Sequence, residues 1–275
     1  MRNDPVAAET LSVASSHRDG TLEAYESAVV RAVQHMRTRL DAPLDLGELA
    51  RVAAVSKFHL VRVFDEITGT TPRHFLSCLR MQRAKEILLN SDMPVTDVCF
   101  EVGYNSPGSF SKTFHELVGV SPQDFRRLPK RLSASQFAAA VWRYLSGRVE
   151  FLGPVVEGVV EGPGRAGGFV FVGAFTNGVP LGAPFSGTVL VRGGTFRLRR
   201  PETPEFHLLA ALVPWSATLS EMVANIPIQL VASLRVTAGA FIGAEGPRLR
   251  LRTPRPTDPP IVMALPALAP LRNWE

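Results

Sequence analysis

One pattern of apolar and polar positions occurs twice between residues 45 and 127. In each copy the apolar residues recur at the i, i+4, i+7 spacing that places side chains on one face of a helix. These residues are Leu60, Phe64 and Ile67 in the first copy and Phe110, Phe114 and Leu117 in the second. From residue 58 onward the copies superpose with an offset of 50 residues. The repetition predicts two equivalent structural units.

The first copy predicts a helix, a short turn and a second helix. Asp45 is placed to cap a helix over roughly 46–54, and Glu48, three residues later, would complete a capping box. Val55 and Ser56 form the turn, and Ser56 then caps the second helix.

The second copy predicts the same arrangement. Val102 and Gly103 end its first helix, Ser106 caps the next, and Pro107 suits the first helical position. Between the copies, residues 72–90 are predicted to form one long helix that acts as a fixed spacer. Its inward residues are Phe75, Leu79, Ala84, Ile87 and Leu88.

A helix–turn–helix pair with an amphipathic second helix is the unit that places a recognition helix in the major groove of DNA. The inward residues determine which residues point outward. These are Phe58, Val61 and Arg62, flanked by Lys57 and His59, in the first unit, and Gly108, Ser111 and Lys112, flanked by Pro107 and Ser109, in the second. Two such helices on one spacer would reach successive major-groove faces about 34 Å apart.

The stretch from residue 97 to 127 resembles the arabinose-regulator (AraC/XylS) transcription factors. The matching elements are Gly103-Tyr104, Ser106, Phe110-Ser111-Lys112, Phe114, Gly119, Ser121-Pro122 and Phe125-Arg126. The resemblance covers roughly residues 25–130. It implies sequence-specific binding to double-stranded promoter DNA through the outward residues, with RNA polymerase as a candidate protein partner. In the familiar layout of that family the sensor comes first, whereas here the DNA reader leads.

The first recognition helix carries the more informative side chains. We expect Arg62 to make a bidentate contact to guanine, the alternative being an ion pair with Asp65 or Glu66. Phe58 would touch a thymine methyl group or pack laterally on the core. Lys57 and His59 are candidates for phosphate and base contact, and solvated side chains are the alternative.

The second recognition helix is chemically poorer. Gly108 has no side chain, Pro107 has no N–H donor, and Lys112 stands where the resemblance implies arginine. Ser109 and Ser111 complete its set. We therefore expect this helix to contribute phosphate anchoring and shape reading more than base reading.

Four further arginines are candidates for backbone contact. Arg80 and Arg83 lie on the spacer helix, where they would meet phosphates between the two grooves or pair with an acid such as Glu86. Arg126 and Arg127 follow the last short helix, and one of them is a candidate for contact with the DNA backbone.

From about residue 149, short runs rich in Val, Phe and Leu alternate with Gly and Pro, which indicates an all-β sandwich or barrel. The predicted strands are 155–160, 169–175, 188–191, 195–198, 206–213, 228–236 and 248–252, with a helical insertion over 216–225. This region resembles prealbumin-like and carboxypeptidase-regulatory-like β-sandwich domains. We expect it to sense a ligand, mediate self-association or contact a protein, and the sequence does not identify the effector or partner.

The predicted fold class is therefore multidomain α + β, with an all-α bipartite helix-turn-helix domain followed by an all-β sandwich domain. The predicted segments are a tail (1–20), the double helix-turn-helix domain (21–131), a linker helix (132–148), the β domain (149–252) and a Pro-rich extended tail (253–275). Residues 128–133 break the helical pattern and have the composition of a linker.

Composition adds a few exclusions. A net charge of +5 and a pI near 9.7 suit a polyanionic partner. The two cysteines lie inside predicted helices, which is a cytoplasmic pattern, and no apolar run has the ~18 residues of a membrane helix.

The six histidines lack metal-ligand spacing, and no cofactor is expected. Residues 128–275 contain no cysteine, which argues against an alkyl-transferring DNA-repair enzyme; we expect no catalytic function, and an architectural DNA-binding protein is the alternative.

Overall fold

The structure is a computed structural model that describes residues 23–131, 153–162, 167–176, 178, 184–191, 193–218, 220–221, 228–237 and 246–261. The predicted N-terminal tail and linker helix, and half of the predicted insertion over 216–225, lie outside the described residues. The described part contains a helical region followed by two β-sheets, which confirms the predicted fold class.

The helical region contains both predicted helix–turn–helix pairs and the spacer between them. The helices are α1 (23–38), α2 (Leu46–Ala53), α3 (Lys57–Thr68), α4 (Pro72–Asn90), α5 (Val95–Glu101), α6 (Pro107–Val118) and α7 (Pro122–Arg131). The first unit comprises α2 and α3, the second comprises α5 and α6, and α4 is the spacer.

The recognition helices of both units begin and end in the same way. The Ser56 side chain accepts a hydrogen bond from the His59 backbone N–H, and the Ser106 side chain accepts one from the Ser109 N–H. Each helix ends at a glycine with a left-handed backbone, which satisfies the last carbonyl groups without steric cost from a Cβ. The predicted caps are therefore confirmed.

The start of α2 differs from the prediction in one detail. Asp45 caps the helix by accepting a hydrogen bond of 2.9 Å from the Glu48 backbone N–H, as expected. The Glu48 carboxylate, however, binds His35 of α1 at 2.8 Å and Arg39, directly after α1, at 2.9 Å. The predicted capping box is wrong in that half, because a tertiary partner with charge offers a stronger hydrogen bond than the backbone amide does.

The two units have separate hydrophobic cores on opposite parts of the spacer. The first core joins α1, α2 and α3 to Phe75, Leu76 and Leu79 of α4. The second joins α5, α6 and α7 to a later stretch of α4 that includes Met81 and Leu88. The spacer is thus buried against both units and fixes them relative to each other.

The β region forms two sheets that pack face to face. The strands are β1 (Val155–Glu161), β2 (Gly168–Phe175), β3 (Ser186–Leu190), β4 (Gly194–Arg199), β5 (Glu205–Pro214), β6 (Leu230–Thr237) and β7 (Arg248–Arg250). The sheet with the order β4-β1-β7, called sheet A, shares one buried cluster with the inner face of the sheet β3-β2-β5-β6, called sheet B. Neighbouring strands pair antiparallel except β1 and β7.

Sheet B is also covered on its outer face. Phe171, Phe175, Leu209 and Ala211 belong to the same buried cluster as the core of the second helix–turn–helix unit. This double coverage explains why β2 and β5 are apolar at nearly every position instead of alternating.

Two boundary predictions are corrected. Helix α7 continues to Arg131, and Leu128, which the sequence placed in a linker, is buried in the second core. At the other end, residues 253–261 were expected to be extended. They turn back instead, because Asp258 binds the Arg252 guanidinium through two contacts of 2.7 Å and accepts a hydrogen bond from the Arg255 backbone N–H.

Among the helices of the described residues, none combines the length and the apolar character needed to cross a bilayer.

Candidate nucleic-acid interface

The outward face of α3 is largely exposed. Phe58 is 91% exposed, so lateral packing on the core does not occur and the aromatic ring is presented to solvent. Lys57 and Arg62 are also exposed, while Val61 is half-buried. The exposed ring of Phe58 therefore lies beside two exposed cations, which together offer apolar and positively charged contacts to another molecule.

Arg62 lies beside an imidazole rather than a carboxylate. Its Nη2 atom lies 3.4 Å from His59 Nδ1, and within the described residues it forms no ion pair with Asp65 or Glu66. The His59 ring in turn makes an edge contact with Tyr25 of α1, with ring centroids 4.8 Å apart. The Tyr25 contact was not predicted from the sequence. It restrains His59, and through His59 it favours an outward direction for Arg62.

The outward face of α6 is exposed as well, but it carries few side chains that could contact DNA bases. Ser106, Pro107, Gly108 and Ser109 are exposed, and Ser111 is half-buried. This leaves few long side chains on the exposed first turn of the helix.

Lys112 is the one cation in the predicted set of α6. Its side chain is 78% exposed, and its Nζ atom lies 3.9 Å from the Glu116 carboxylate, one turn along the helix. An exposed pair of this kind contributes little free energy, so the ammonium group remains available to a phosphate.

The Arg80 guanidinium binds two backbone carbonyl groups, which is not the arrangement that the sequence predicted. Its Nε atom donates a hydrogen bond of 2.9 Å to the Leu40 carbonyl and its Nη2 atom donates one of 2.8 Å to the Ala42 carbonyl. The guanidinium carbon also lies 5.6 Å from the centre of the Tyr104 ring. The predicted phosphate contact is at odds with this arrangement, because the half-buried guanidinium joins the end of α1 to the second unit.

Gly103 completes that junction. Its φ is +80°, and a Cβ at this position would lie 2.3 Å from the Leu40 carbonyl oxygen and 2.7 Å from Arg80 Nη2. Only glycine fits here, because both the backbone angle and the space exclude a side chain. The resemblance had marked Gly103 as a matching residue without indicating its neighbours Leu40 and Arg80, which come from the stretch just after α1 and from α4.

The remaining arginines divide between a surface and a structural role. Arg83 is exposed and lies 3.1 Å from the Glu86 carboxylate, the alternative weighed for it above. Arg126 donates hydrogen bonds to the carbonyl groups of Leu88 and Met93, which tie α7 to the end of α4. Arg126 is therefore a poor candidate for backbone contact, whereas Arg127 is exposed.

The described residues contain no group of three or more His, Cys, Asp or Glu side chains arranged to hold a metal ion. Cys78 and Cys99 are both buried free thiols, and burial raises the pKa of Cys78 to about 12.

The family model described as a helix-turn-helix domain matches residues 49–128. Over 94 residues the chain is 40% identical to the MmsAB operon regulatory protein of Pseudomonas aeruginosa. The matched segment covers 34% of this chain and 30% of that protein. Over 100 residues it is 32% identical to the HTH-type transcriptional regulator GlxA of Rhizobium meliloti, covering 36% and 31% respectively. The chain thus spans about a third of the length of these relatives.

Among solved structures, the chain is similar to the C-terminal domain of AraT, a response regulator from Geobacillus stearothermophilus. The identity is 32%, the TM-score is 0.36, and the match covers 37% of this chain and 84% of that one. It is also similar to the DNA-binding domain of AdpA in complex with a target DNA, at 27% identity and a TM-score of 0.37, over 38% of this chain and 94% of that one.

Proposed function

We propose that this chain, in which residues 49–128 form an AraC-type helix-turn-helix domain, is a DNA-binding transcriptional regulator. The observation that carries the proposal is the division of α3 and α6 into two faces. Phe64 and Phe114 are fully buried in the two cores, whereas Phe58, Arg62 and Lys112 are exposed on the outward faces of the same helices.

The proposed mode of binding uses α3 and α6 in two adjacent major-groove faces of one duplex. Arg62 reads a base, Lys57 and Lys112 contact phosphates, and Phe58 lies against a thymine methyl group. Because α4 is packed into both cores, the two helices move as one body. A single chain then spans the site that a dimeric repressor spans with two subunits.

The β region, in this proposal, modulates DNA binding through a ligand, self-association or a protein partner. Two contacts support the idea that it acts on the reader. Its sheet B shares a buried cluster with the second unit, and Gly178 approaches the end of α3 so closely that a Cβ on it would lie 2.2 Å from the Gly69 carbonyl oxygen.

The proposal further assigns the chain no catalytic step and places it in the cytoplasm, where it would meet promoter DNA and RNA polymerase. The named relatives are regulatory proteins, which supports the first point.

The test is a selection from random duplex DNA with the full chain, followed by footprinting of the selected sequence. We expect two protected segments whose centres lie about 10 bp apart, and a base preference in one of them that the Arg62→Ala variant loses. Protection of a single segment would exclude the two-groove mode. Selection of no sequence at all would leave only an architectural role.

A further inference from the structure

A cavity of about 220 Å³ lies between the C-terminal end of α3 and the outer face of sheet B. The stretch from Asp65 to Gly69 forms one wall, and strands β5 and β6 with residues 258–261 form the others. This volume would hold about seven water molecules at roughly 30 Å³ each, or one small organic molecule. The C-terminal end of α3, the recognition helix of the first unit, therefore forms part of the cavity wall.

Part of the lining is apolar. Ile67 comes from α3, Leu209 and Val231 come from sheet B, and Pro259 and Ile261 come from the segment that turns back after β7. A ligand with a short alkyl portion would bury that portion against these side chains, which is favourable because apolar surface is removed from water.

Several polar groups in the lining are already satisfied. Asp258 is bound by the Arg252 guanidinium, and Arg235 is bound by the Glu205 carboxylate. Burial, together with the nearby Arg235 charge, lowers the pKa of His207, so this ring adds no positive charge to the cavity near neutral pH.

The carboxylates of α3 provide the remaining charge. Asp65 and Glu66 line the cavity, and within the described residues neither lies within salt-bridge distance of a cation, although Asp65 is close enough to Arg235 and His207 to interact with both electrostatically. They lie in the last turn of α3, where the negative end of the helix dipole adds to their charge. The electrostatic character of this wall is therefore negative beside an apolar lining.

We propose that this cavity binds a small organic cation, a primary amine or guanidine with a short alkyl chain, with its charged group against Asp65 and Glu66. These two residues follow Arg62 by three and four positions on the same helix. A bound cation would neutralise carboxylates that repel DNA phosphates, so it should raise DNA affinity. This last step rests on the proposed function, whereas binding of the cation does not.

The first test is titration of the full chain with n-butylammonium, and with butyrate and 1-butanol as probes of matched size. We expect saturable binding of n-butylammonium with a Kd on the order of 1 mM, and at least about tenfold weaker binding of the other two. Butyrate binding as tightly as the amine, or no saturation by the amine, would overturn the proposal.

The second test uses variants of the cavity and a matched control. The double variant Asp65→Asn, Glu66→Gln should lose amine binding, whereas Glu202→Gln, an exposed carboxylate that does not line the cavity, should keep it. Ser233→Tyr should also block binding by filling the space, and β6 tolerates this change because Ser233 is exposed on a strand. Unchanged amine binding in the double variant would refute the site.

The third test measures DNA affinity with and without the amine. We expect the amine to raise affinity about fivefold, and the double variant to have the raised affinity without amine and no response to it. If the amine binds but DNA affinity stays constant, the amine site is upheld and the proposed effect of the amine on DNA affinity is refuted. If the chain binds no DNA at all, the proposed function fails while the amine titration still decides the cavity.

Discussion

The two helix–turn–helix units have the same framework but different surroundings. Both recognition helices start at a serine cap, bury phenylalanines inward and end at a left-handed glycine. The first unit has a core of its own with α1, whereas the core of the second continues into sheet B. The outward sets differ too, since Lys57, Phe58 and Arg62 correspond to Pro107, Gly108 and Lys112. We therefore propose that the first unit reads bases and that the second connects the DNA reader to the β region.

The largest effect should come from weakening the buried cluster that the second unit shares with sheet B. Phe171→Ala removes a ring that belongs to the shared cluster, and we expect a loss of about 3–5 kcal/mol in the free energy of unfolding. Hydrogen exchange should then increase in α5 and α6 more than in α2 and α3. The control is Leu60→Ala in the first core, which should loosen α2 and α3 instead. Equal exchange in both units in either variant would mean that the cores are not independent.

The next effect concerns a pair of equivalent positions, Ala54 and Gly103, which both have positive φ. Gly103→Ala should cost about 3 kcal/mol, because it adds backbone strain and forces a Cβ against the Leu40 carbonyl. Ala54→Gly should change stability by no more than about 1 kcal/mol, since Ala54 is exposed. Urea unfolding of both variants measures the difference, and a similar cost at the two sites would contradict the close junction.

A smaller effect tests the base-reading role of the first unit. Arg62→Ala should weaken binding to the selected DNA by about 1–3 kcal/mol and relax the base preference in one half-site. Arg62→Lys should recover affinity for nonspecific DNA but not the base preference, because lysine lacks the planar fork of donors. An unaltered preference in a repeated selection would remove Arg62 from the base contacts.

The smallest effect tests the second unit. Lys112→Ala should weaken specific and nonspecific binding alike and reduce the slope of log K against log salt by about one, because one phosphate contact is lost. Salt titration of the variant beside Arg62→Ala separates the two units. A change of base preference in Lys112→Ala would show that α6 reads bases as well.

Much of the helical region was determined by local sequence. The spacing of Leu60 and Phe64, the caps Ser56 and Ser106, and the proline at the start of α4 all act over one or two turns, so the helices could be placed without the fold. The same spacing identified the outward faces of α3 and α6. The strands were also predicted, although β2 and β5 carry apolar residues on both faces for a reason that the sequence does not display.

Which polar side chains remain available for contact depends on segments that are distant in the sequence. The sequence marks Arg80 and Arg126, like Arg62, as candidate DNA contacts. Their N–H groups, however, donate to carbonyl groups that lie 33 to 40 residues away in the chain. Glu48 similarly binds α1 rather than its own cap. The repeated helices and their two faces could be read from the sequence, because they depend on neighbours within a few residues. The junction at Gly103, the shared core with sheet B and the cavity beside α3 depend on distant segments meeting, which no local pattern specifies.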